Sequence, residues 1–185
     1  MNIFVILVAY GKTSSDKISK VLDQLNINYI ITDPDFLPSY NDLNKLTHII
    51  LSGGPKHVYD NEIFYNKLPQ WVIDINVPVL SICYGFQLVA YHFGGTVIKM
   101  DTKEEGLVEV TEIINNQLID NMRWMNRHDQ VLILPPQFTI TGITYHNHIA
   151  AFTDYNKWFC YQYHPEADIP DYGIDINIFT RFFNI

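Results

Sequence analysis

Residues 77–86 read Val77-Pro78-Val79-Leu80-Ser81-Ile82-Cys83-Tyr84-Gly85-Phe86, so an apolar run passes directly into a tight turn and then into a second apolar stretch. A short, continuously apolar run rich in β-branched residues is typical of a buried strand. The small-X-Cys-X-Gly turn that follows has the form of a nucleophile elbow, which projects one side chain from the edge of a sheet. We therefore predict a buried strand over 77–82, a thiol presented at its carboxyl end, and a helix from about Phe86.

Three more buried strands are predicted upstream of this turn. They are short apolar runs at 3–8, 29–31 and 48–51. Between the first two, apolar residues recur from Ile18 to Leu25 with the spacing of an amphipathic helix, and Ser14 or Ser15 is expected to cap it. Buried strands that alternate with helices predict an α/β fold with a mainly parallel sheet.

Two motifs fall where sites lie in such sheets. In parallel α/β sheets, ligands bind at the carboxyl ends of the strands. Gly53-Gly54 follows the strand predicted at 48–51, and Cys83 follows the strand predicted at 77–82. Both motifs are therefore expected at the same edge of the sheet.

The second half of the chain has a different pattern. Short β-type runs separated by Asn, Pro and Gly predict antiparallel pairs and edge strands at 108–113, 138–144, 148–152 and 158–163. Residues 175–183 carry apolar residues at helical spacing and are expected to close the chain as a helix. A length of 185 residues without a repeat or linker predicts one domain over 1–185, with a small antiparallel portion in its second half.

Composition excludes several classes of function. Hydrophobic residues make up 48% of the chain and charged residues 17%, which is typical of a globular protein. The net charge is −8 and Lys and Arg do not cluster, so no nucleic-acid groove is expected. No run approaches the roughly 18 apolar residues of a membrane span. The N-terminus lacks the features of a signal peptide. We expect a cytoplasmic protein that binds neither nucleic acid nor membrane.

The two cysteines are expected to have different roles. Cys83 and Cys160 are too few for a disulfide framework or a zinc site, and no metal site is predicted. Cys160 lies in the alternating run at 158–163 and is expected in the core. His146 and His148 could share one face of a strand, but no third ligand accompanies them.

A base and a carboxylate occur together late in the chain. Tyr163-His164-Pro165-Glu166 carries them two positions apart, and Pro165 places the pair at the end of a strand. A Cys, a His and an acid are the parts of a thiol nucleophile, its base and the group that orients the base. The pattern predicts an enzyme with Cys83, His164 and Glu166 as its catalytic residues.

Several spaced motifs resemble those of class I glutamine amidotransferases. They are Gly53-Gly54-Pro55, Ile82-Cys83-Tyr84-Gly85-Phe86-Gln87, Gly94-Gly95, Glu104-Glu105-Gly106 and Gln162-Tyr163-His164-Pro165-Glu166. The similarity extends from about residue 3 to the C-terminus. Within the class, the Gly-Gly-Pro turn, the Tyr after the nucleophile and Trp124-Met125 make the chain most similar to the glutaminase domain or subunit of GMP synthase. The resemblance implies a flavodoxin-like three-layer fold.

The resemblance also assigns further roles in the site. The backbone N–H groups of Gly54 and Tyr84 would form an oxyanion hole, which stabilises the negative oxygen of a tetrahedral intermediate. Gln87 would contact the glutamine substrate. The backbone of Asn126-Arg127-His128 would hold the α-amino and carboxylate groups of that substrate.

Three positions depart from the GMP synthase pattern. Ser81 stands where the elbow usually has Gly, and Ala9-Tyr10-Gly11-Lys12 stands where an acidic residue, an aromatic residue, Gly and Ser or Gly are usual. Asn126-Arg127-His128-Asp129 replaces the usual Ser-His-X-Asp, which moves the His by one position. Because this last stretch is expected to bind the substrate, its departure leaves the identity of the acyl donor open.

The resemblance implies a glutaminase that releases ammonia from L-glutamine through a γ-glutamyl thioester on Cys83. The ammonia would pass to a separate synthetase partner, an ATP pyrophosphatase subunit, because no ATP-binding Gly-rich loop occurs in this chain. The flank from Lys56 to Tyr59 is expected to meet that partner. No cofactor is expected for the glutaminase step, and ATP and Mg²⁺ would belong to the partner.

Two alternatives remain open. The first is a free-standing hydrolase of γ-glutamyl peptides or conjugates, which the altered stretch Asn126 to Asp129 favours. The second is a non-catalytic regulatory module with the same fold. The presence of all three predicted catalytic residues, Cys83, His164 and Glu166, argues against this alternative.

Overall fold

The computed structural model describes residues 2–60 and 67–185, and these form nine strands and five helices. The strands are β1 (Phe4–Val8), β2 (Asn28–Thr32), β3 (His48–Leu51), β4 (Val79–Ile82), β5 (Thr96–Ile114), β6 (Gln117–Ile133), β7 (Thr139–Thr144), β8 (Ile149–Thr153) and β9 (Trp158–Tyr161). The helices are α1 (Lys12–Gln24), α2 (Tyr40–Lys45), α3 (Gln70–Asp74), α4 (Tyr84–His92) and α5 (Ile176–Phe183).

All nine strands belong to one sheet, in the order β2-β1-β3-β4-β9-β8-β7-β5-β6. The first five strands of this order are parallel, and they follow the 2-1-3-4-5 order of flavodoxin-like sheets because β9 takes the fifth place. The remaining strands are joined by antiparallel pairing. The predicted α/β class, with a mainly parallel sheet and an antiparallel portion in the second half, is confirmed.

Helices cover both faces of the parallel half. Successive side chains of a strand point to opposite faces, and β1 divides its residues accordingly. Val5 and Leu7 pack in the cluster that contains the buried residues of α1 and α5. Ile6 and Val8 pack in the cluster that contains those of α3 and α4. The fold therefore has three layers, with a core on each side of the sheet.

The turn between β4 and α4 lies deep in the molecule. All seven residues from Tyr84 to Ala90 are buried. A Cβ atom at Gly85 would lie 2.9 Å from the carbonyl oxygen of Leu51, so the start of α4 rests directly on the backbone of β3. Only glycine permits this close approach. The helix start, and with it Cys83, is thereby fixed against the carboxyl ends of the parallel strands.

The predicted cap of α1 is wrong. The helix begins at Lys12 with Gly11 as its N-cap, and no side chain caps it. Ser14 and Ser15 lie inside the helix and are buried. The hydroxyl of Ser15 donates to the carbonyl oxygen of Gly11 at 2.9 Å, and the hydroxyl of Ser14 bonds outside the helix. Neither serine therefore caps the helix as its residue type predicts, and both hydroxyls form other hydrogen bonds instead.

The second half differs from the prediction in its strand lengths and pairing. The strand expected at 108–113 is the end of the much longer β5, and β6 was not predicted. β9 is not an edge strand, because it lies between β4 and β8 and is parallel to β4. The short helices α2 and α3 were also missed, whereas the closing helix α5 is present as predicted.

The described residues contain no helix that is both long enough and apolar enough to cross a membrane.

Candidate active site

Cys83 stands at the carboxyl end of β4 with an unusual backbone conformation. Its φ is 51° and its ψ is −102°, a region that residues with a Cβ atom rarely adopt. Its N–H donates to the carbonyl oxygen of Tyr161 at 2.8 Å, and its own carbonyl oxygen accepts from Gln87 N at 3.1 Å. The sheet on one side and α4 on the other hold this turn, which places the Cys83 thiol at the positive end of the helix dipole.

His164 and Glu166 follow β9 and lie beside this thiol. The His164 Nδ1 atom is 2.9 Å from Glu166 Oε1, and the Cys83 side chain is a close electrostatic neighbour of the His164 ring. An Nδ1–H group that donates to a carboxylate leaves Nε2 to exchange a proton with the thiol. The backbone N–H of His164 donates to the carbonyl oxygen of Trp124 at 2.9 Å, which attaches the loop to β6.

The neighbours of His164 favour its protonated form. Burial alone lowers the pKa of His164, but the charges of Cys83 and Glu166 and their hydrogen bonds outweigh burial and raise this pKa well above its usual value. Glu166 is itself only 1% exposed, so its attraction for the imidazolium is little screened by water. The site therefore favours an imidazolium at His164, and an imidazolium next to a cysteine is an arrangement that activates a thiol nucleophile.

Ser14 is a part of this site that the sequence did not reveal. From inside α1, its hydroxyl donates to Glu166 Oε1 at 2.7 Å and accepts from the backbone N–H of Gly53 at 3.0 Å. Its residue type and position predicted a helix cap, and no pattern in the sequence marked it as part of the site. It joins α1, the Gly53-Gly54 turn and the carboxylate beside His164.

The Gly53-Gly54 turn is packed against the backbone of its neighbours. A Cβ atom at Gly54 would lie 2.9 Å from the carbonyl oxygen of Tyr10, and one at Gly53 would lie 3.1 Å from His164 Cε1. The turn can take this position because both residues lack a side chain. Gly54 lines the cleft in front of Cys83. Its predicted role in an oxyanion hole stays a prediction.

Tyr84 is predicted to contribute to the site through its backbone. It is the first residue of α4, and its ring is buried against the ring of Tyr10 at a centroid distance of 5.3 Å. N–H groups in the first turn of a helix point out of its N-terminal end. This geometry is compatible with the predicted oxyanion role of Tyr84, which stays a prediction.

A cleft of about 610 Å³ lies in front of the thiol. Most of the residues predicted for catalysis or substrate binding line it, namely Gly54, Cys83, Gln87, Asn126, Arg127, His128, His164 and Glu166. They come from the ends of β3, β4 and β9, from α4 and from the middle of β6, so segments far apart in sequence meet at one edge of the sheet. A cleft of this size accepts a small molecule.

Gln87 and Asn126 flank Cys83 on the cleft. Gln87 is buried in α4, and its side-chain nitrogen donates to the side-chain oxygen of Gln162 at 3.1 Å. The carbonyl oxygen of Asn126 is 3.8 Å from Cys83 Sγ. The backbone of β6 therefore passes directly beside the nucleophile, as the predicted role of this stretch requires.

The side chains that follow Asn126 have partners on both sides of β6. Arg127 is buried, and its guanidinium bonds to Glu104 at 2.7 Å and to His148 at 3.0 Å. Asp129 is buried as well, and one of its oxygens accepts from Tyr59 Oη at 2.8 Å. The departure from Ser-His-X-Asp thus places a buried cation in the wall of the cleft. Substrate binding by Arg127 and His128 stays a prediction.

The flank from Lys56 to Tyr59 is only partly exposed. Val58 is buried, and Lys56 and His57 are half-buried. His57 Nδ1 is 2.6 Å from Asp129 Oδ2, and the rings of His57 and Tyr59 stack with centroids 5.3 Å apart. These contacts tie the segment after the Gly53-Gly54 turn to β6 beside the cleft.

Cys160 lies apart from this chemistry. It is fully buried in β9, and burial raises the pKa of its thiol well above the usual value. A thiol that stays protonated is a poor nucleophile. The expectation that Cys160 belongs to the core is confirmed.

Metal ligands do not cluster in the part of the chain that the structure describes. Over 2–60 and 67–185, no group of three or more His, Cys, Asp or Glu side chains is placed to hold a metal ion. The expectation that the glutaminase step needs no cofactor stays a prediction.

Sequence comparisons connect this site with known proteins. A family model described as "Glutamine amidotransferase class-I" matches residues 6–183. The chain is 33% identical to GMP synthase [glutamine-hydrolyzing] of Thermotoga petrophila over 98% of its own length and 36% of that protein. It is 28% identical to the Bacillus subtilis protein of the same name, over 95% of its length and 35% of the relative. The chain thus spans about a third of these relatives, 36% and 35%.

Solved structures with the same fold cover nearly the whole chain. A putative GMP synthase subunit protein from Thermoplasma acidophilum matches with a TM-score of 0.84 at 25% identity, over 100% of this chain and 94% of the other. A glutamine amidotransferase from Thermotoga maritima matches with a TM-score of 0.76 at 20% identity, over 90% and 77% of the two chains. The second likeness shows the fold alone.

Proposed function

Because the chain belongs to the class I glutamine amidotransferases, we propose that it hydrolyses L-glutamine to glutamate and ammonia through a γ-glutamyl thioester on Cys83. The family consists of enzymes. The similarity of this chain to glutamine-hydrolysing GMP synthases agrees with the prediction from sequence. The observation that carries the proposal is the turn with positive φ at Cys83, which places this residue beside His164 on the same cleft.

The first half of the reaction would form the thioester. The Cys83 thiolate attacks the γ-carbonyl carbon of glutamine, and the carbonyl electron pair moves to the oxygen. The His164 imidazolium then gives its proton to the amide nitrogen, the C–N bond breaks, and ammonia leaves. The γ-glutamyl group is now bonded to Cys83 Sγ.

The second half would release glutamate. Neutral His164 takes a proton from water as the water oxygen attacks the thioester carbon. The C–S bond breaks, glutamate leaves, and the thiolate and imidazolium are restored. Glu166, 2.9 Å from His164 Nδ1, would keep the ring in the orientation that both halves need.

The negative oxygen of each tetrahedral intermediate needs N–H donors. We assign this role to the backbone of Tyr84, next to the nucleophile, and of Gly54, in the turn that packs against Tyr10. One such donor is worth about 3 to 4 kcal/mol of the barrier in comparable sites. The absence of a side chain at Gly54 supports this assignment, because a substrate oxygen can approach its backbone closely.

We propose that the ammonia serves a separate synthetase of the GMP synthase type, with an ATP pyrophosphatase subunit. Support comes from the names of the relatives, GMP synthase [glutamine-hydrolyzing], of which this chain covers about a third, 36% in one case. The likeness to the putative GMP synthase subunit protein of Thermoplasma acidophilum, over 94% of that chain, points the same way. ATP and Mg²⁺ would bind the partner. A cytoplasmic location would keep the Cys83 thiol reduced.

The glutamine analogue 6-diazo-5-oxo-norleucine tests the nucleophile. We expect it to form one covalent adduct, located on Cys83 by peptide mass spectrometry, because this electrophile occupies a glutamine site and reacts with a thiolate. The Cys83→Ala variant should remain unlabelled and inactive. Cys160→Ala is the matched control, since it removes the other thiol without touching the cleft, and it should label like wild type.

Labelling of Cys160 alone, or of neither cysteine, would overturn the proposal. Labelling of Cys83 together with a preference for γ-glutamyl peptides over glutamine would keep the mechanism and replace the substrate. That outcome would favour the free-standing hydrolase that the departure at Asn126 to Asp129 left open.

A further inference from the structure

We propose that Ser14 is a positioning residue of this site. Its hydroxyl, oriented by the backbone N–H of Gly53, holds the Glu166 carboxylate where that carboxylate orients His164. The inference rests on the proposed function of Cys83 and His164, and it adds a residue from α1 that no motif of the sequence marked.

The direction of the two hydrogen bonds of Ser14 is fixed by chemistry. A hydroxyl has one proton to donate, whereas a backbone N–H can only donate. Gly53 N is 3.0 Å from Ser14 Oγ, so the hydroxyl must accept there. Its single proton is therefore directed to Glu166 Oε1, at 2.7 Å.

The Glu166 carboxylate depends on few donors. Its Oε1 atom accepts from Ser14 at 2.7 Å and from His164 Nδ1 at 2.9 Å. Its Oε2 atom is buried and has no hydrogen-bond partner among the described residues. A carboxylate that is 1% exposed cannot recruit bulk water in place of a lost donor. Of the two hydrogen bonds that hold the Glu166 carboxylate, only the one to His164 would remain without Ser14.

The other serines of α1 behave differently. Ser15 Oγ donates to the carbonyl oxygen of Gly11 at 2.9 Å, and Ser19 Oγ donates to that of Ser15 at 2.9 Å. Both are ordinary bonds from a helical side chain to the backbone four residues earlier. Ser14 is the serine of this helix whose hydroxyl reaches the site instead. Ser15 is buried, adjacent and chemically identical, so it is the matched control.

The test compares Ser14→Ala and Ser15→Ala in the wild-type chain and in a Glu166→Ala background. Two quantities are measured in each protein, the steady-state hydrolysis of glutamine and the rate at which iodoacetamide alkylates Cys83. Ser14→Ala should lower kcat about 10-fold, the worth of one hydrogen bond to a charged group, and change KM less than about twofold. Alkylation of Cys83 should slow, because a less constrained Glu166 stabilises the imidazolium less. Ser15→Ala should stay within about twofold of wild type on both measures.

The Glu166→Ala background separates positioning from a general structural role. If Ser14 acts through Glu166, adding Ser14→Ala to that background should change neither rate more than about twofold. A wild-type kcat in Ser14→Ala, or an equal loss with and without Glu166, would overturn the proposal. If wild type neither hydrolyses glutamine nor forms the adduct at Cys83, the proposed function fails, and the alkylation rates still decide the role of Ser14.

Discussion

The two cysteines of this chain show how backbone geometry separates a reactive thiol from a structural one. Cys83 occupies a turn with φ of 51° between β4 and α4 and borders the cleft. Cys160 lies inside β9, is fully buried, and has a raised pKa. The difference follows from the local sequence. Ser81 and Gly85 allow a sharp turn at Cys83, whereas the alternating run around Cys160 continues as a strand.

Replacing His164 should cost more activity than weakening its orientation. His164→Ala removes the proton acceptor, so we expect glutamine hydrolysis to fall by about 100-fold or more. Glu166→Gln keeps a hydrogen-bonding group beside Nδ1 and leaves the proton acceptor in place, so we expect a smaller loss than in His164→Ala. Rates are measured on purified proteins, with circular dichroism to show that both remain folded. Wild-type turnover in a folded His164→Ala protein would remove this residue from the mechanism.

The stability of the fold should depend on pH through His164. Burial opposes its protonation, but Cys83 and Glu166 hold the pKa of His164 well above its usual 6.5 in the folded state. The folded state therefore binds this proton more tightly than the unfolded state, and the resulting stabilisation is complete below the unfolded pKa of 6.5 and lost as pH rises through the folded pKa. We expect the free energy of unfolding in urea to decrease more from pH 6.5 upward in wild type than in His164→Gln.

Cys83→Ala provides the control for this pH dependence. Among the influences that raise the pKa of His164, the charge of Cys83 is the largest. Its removal should therefore reduce the pH-dependent part of the stability, even though His164 is still present. Parallel pH curves for wild type, His164→Gln and Cys83→Ala would show that His164 is not the group responsible.

Sequence reasoning identified the residues of the site that carry a local signature and missed those that do not. Cys83, His164 and Glu166 were named because a turn motif and a His-Pro-Glu run mark them. Ser14 was expected only as a helix cap, because its contact with Glu166 joins residues 152 positions apart. Such a contact depends on how α1 packs against the loop after β9, and no local pattern records it.

At the level of elements, β6 shows why a strand can escape a hydrophobicity pattern. Its buried positions alternate along the chain as a strand requires, and they are Arg123, Met125, Arg127, Asp129 and Val131. Three of these five side chains are charged, so they do not form an apolar pattern. The charges are tolerated because partners on other strands meet them, as Glu104 meets Arg127 at 2.7 Å. The parallel strands β1, β3 and β4 were predicted because their buried residues are nearly all apolar.

Arg123 should be a strong anchor of the β5–β6 hairpin. Its guanidinium is paired with Glu112 of β5 and with Asp175 beside α5, and it lies 5.1 Å from the ring centre of Tyr163. Arg123→Leu would leave the buried Glu112 without its cation, so we expect the free energy of unfolding to fall by about 3 to 5 kcal/mol. Urea denaturation of the wild-type and Arg123→Leu proteins measures this difference in the free energy of unfolding.

An exposed ion pair in the same hairpin is the control. Lys103 pairs with Glu105 on β5, and both side chains are more than a third exposed, at 37% and 51%. Lys103→Met should therefore change the free energy of unfolding by less than about 1 kcal/mol. Equal effects of Arg123→Leu and Lys103→Met would show that burial does not decide the strength of these pairs.

At the level of the whole molecule, the site forms where distant segments meet. The carboxyl ends of β1, β3, β4 and β9 and the middle of β6 all border the cleft. The sequence placed Gly54 and Cys83 at one edge of a parallel sheet by a general rule of such folds. It could not show that β6 passes beside the thiol, because this depends on the full strand order of the sheet.

The isolated chain should be a slow glutaminase. Ammonia released without a synthetase would waste glutamine, and the contacts of His57 and Tyr59 with Asp129 tie the flank after the Gly53-Gly54 turn to β6 beside the cleft. Docking of a nucleotide-loaded synthetase of the GMP synthase type should raise the rate of glutamine hydrolysis, by about 10-fold or more. Rates are compared with and without that synthetase, ATP and XMP, with Cys83→Ala as the blank.

A full rate in the isolated chain would contradict this coupling. So would a rate that the synthetase and its nucleotides leave unchanged. Either result would favour a free-standing hydrolase, and the assignment to GMP synthesis would then be dropped.

The positive φ of Cys83 serves activity at a cost in the stability of the fold. Glycine adopts such angles freely, whereas a residue with a Cβ atom is strained there by about 1 to 3 kcal/mol. Cys83→Gly would relieve this strain and remove the nucleophile in the same substitution. Efforts to make this protein more robust should leave the elbow untouched and look for their gains elsewhere in the fold.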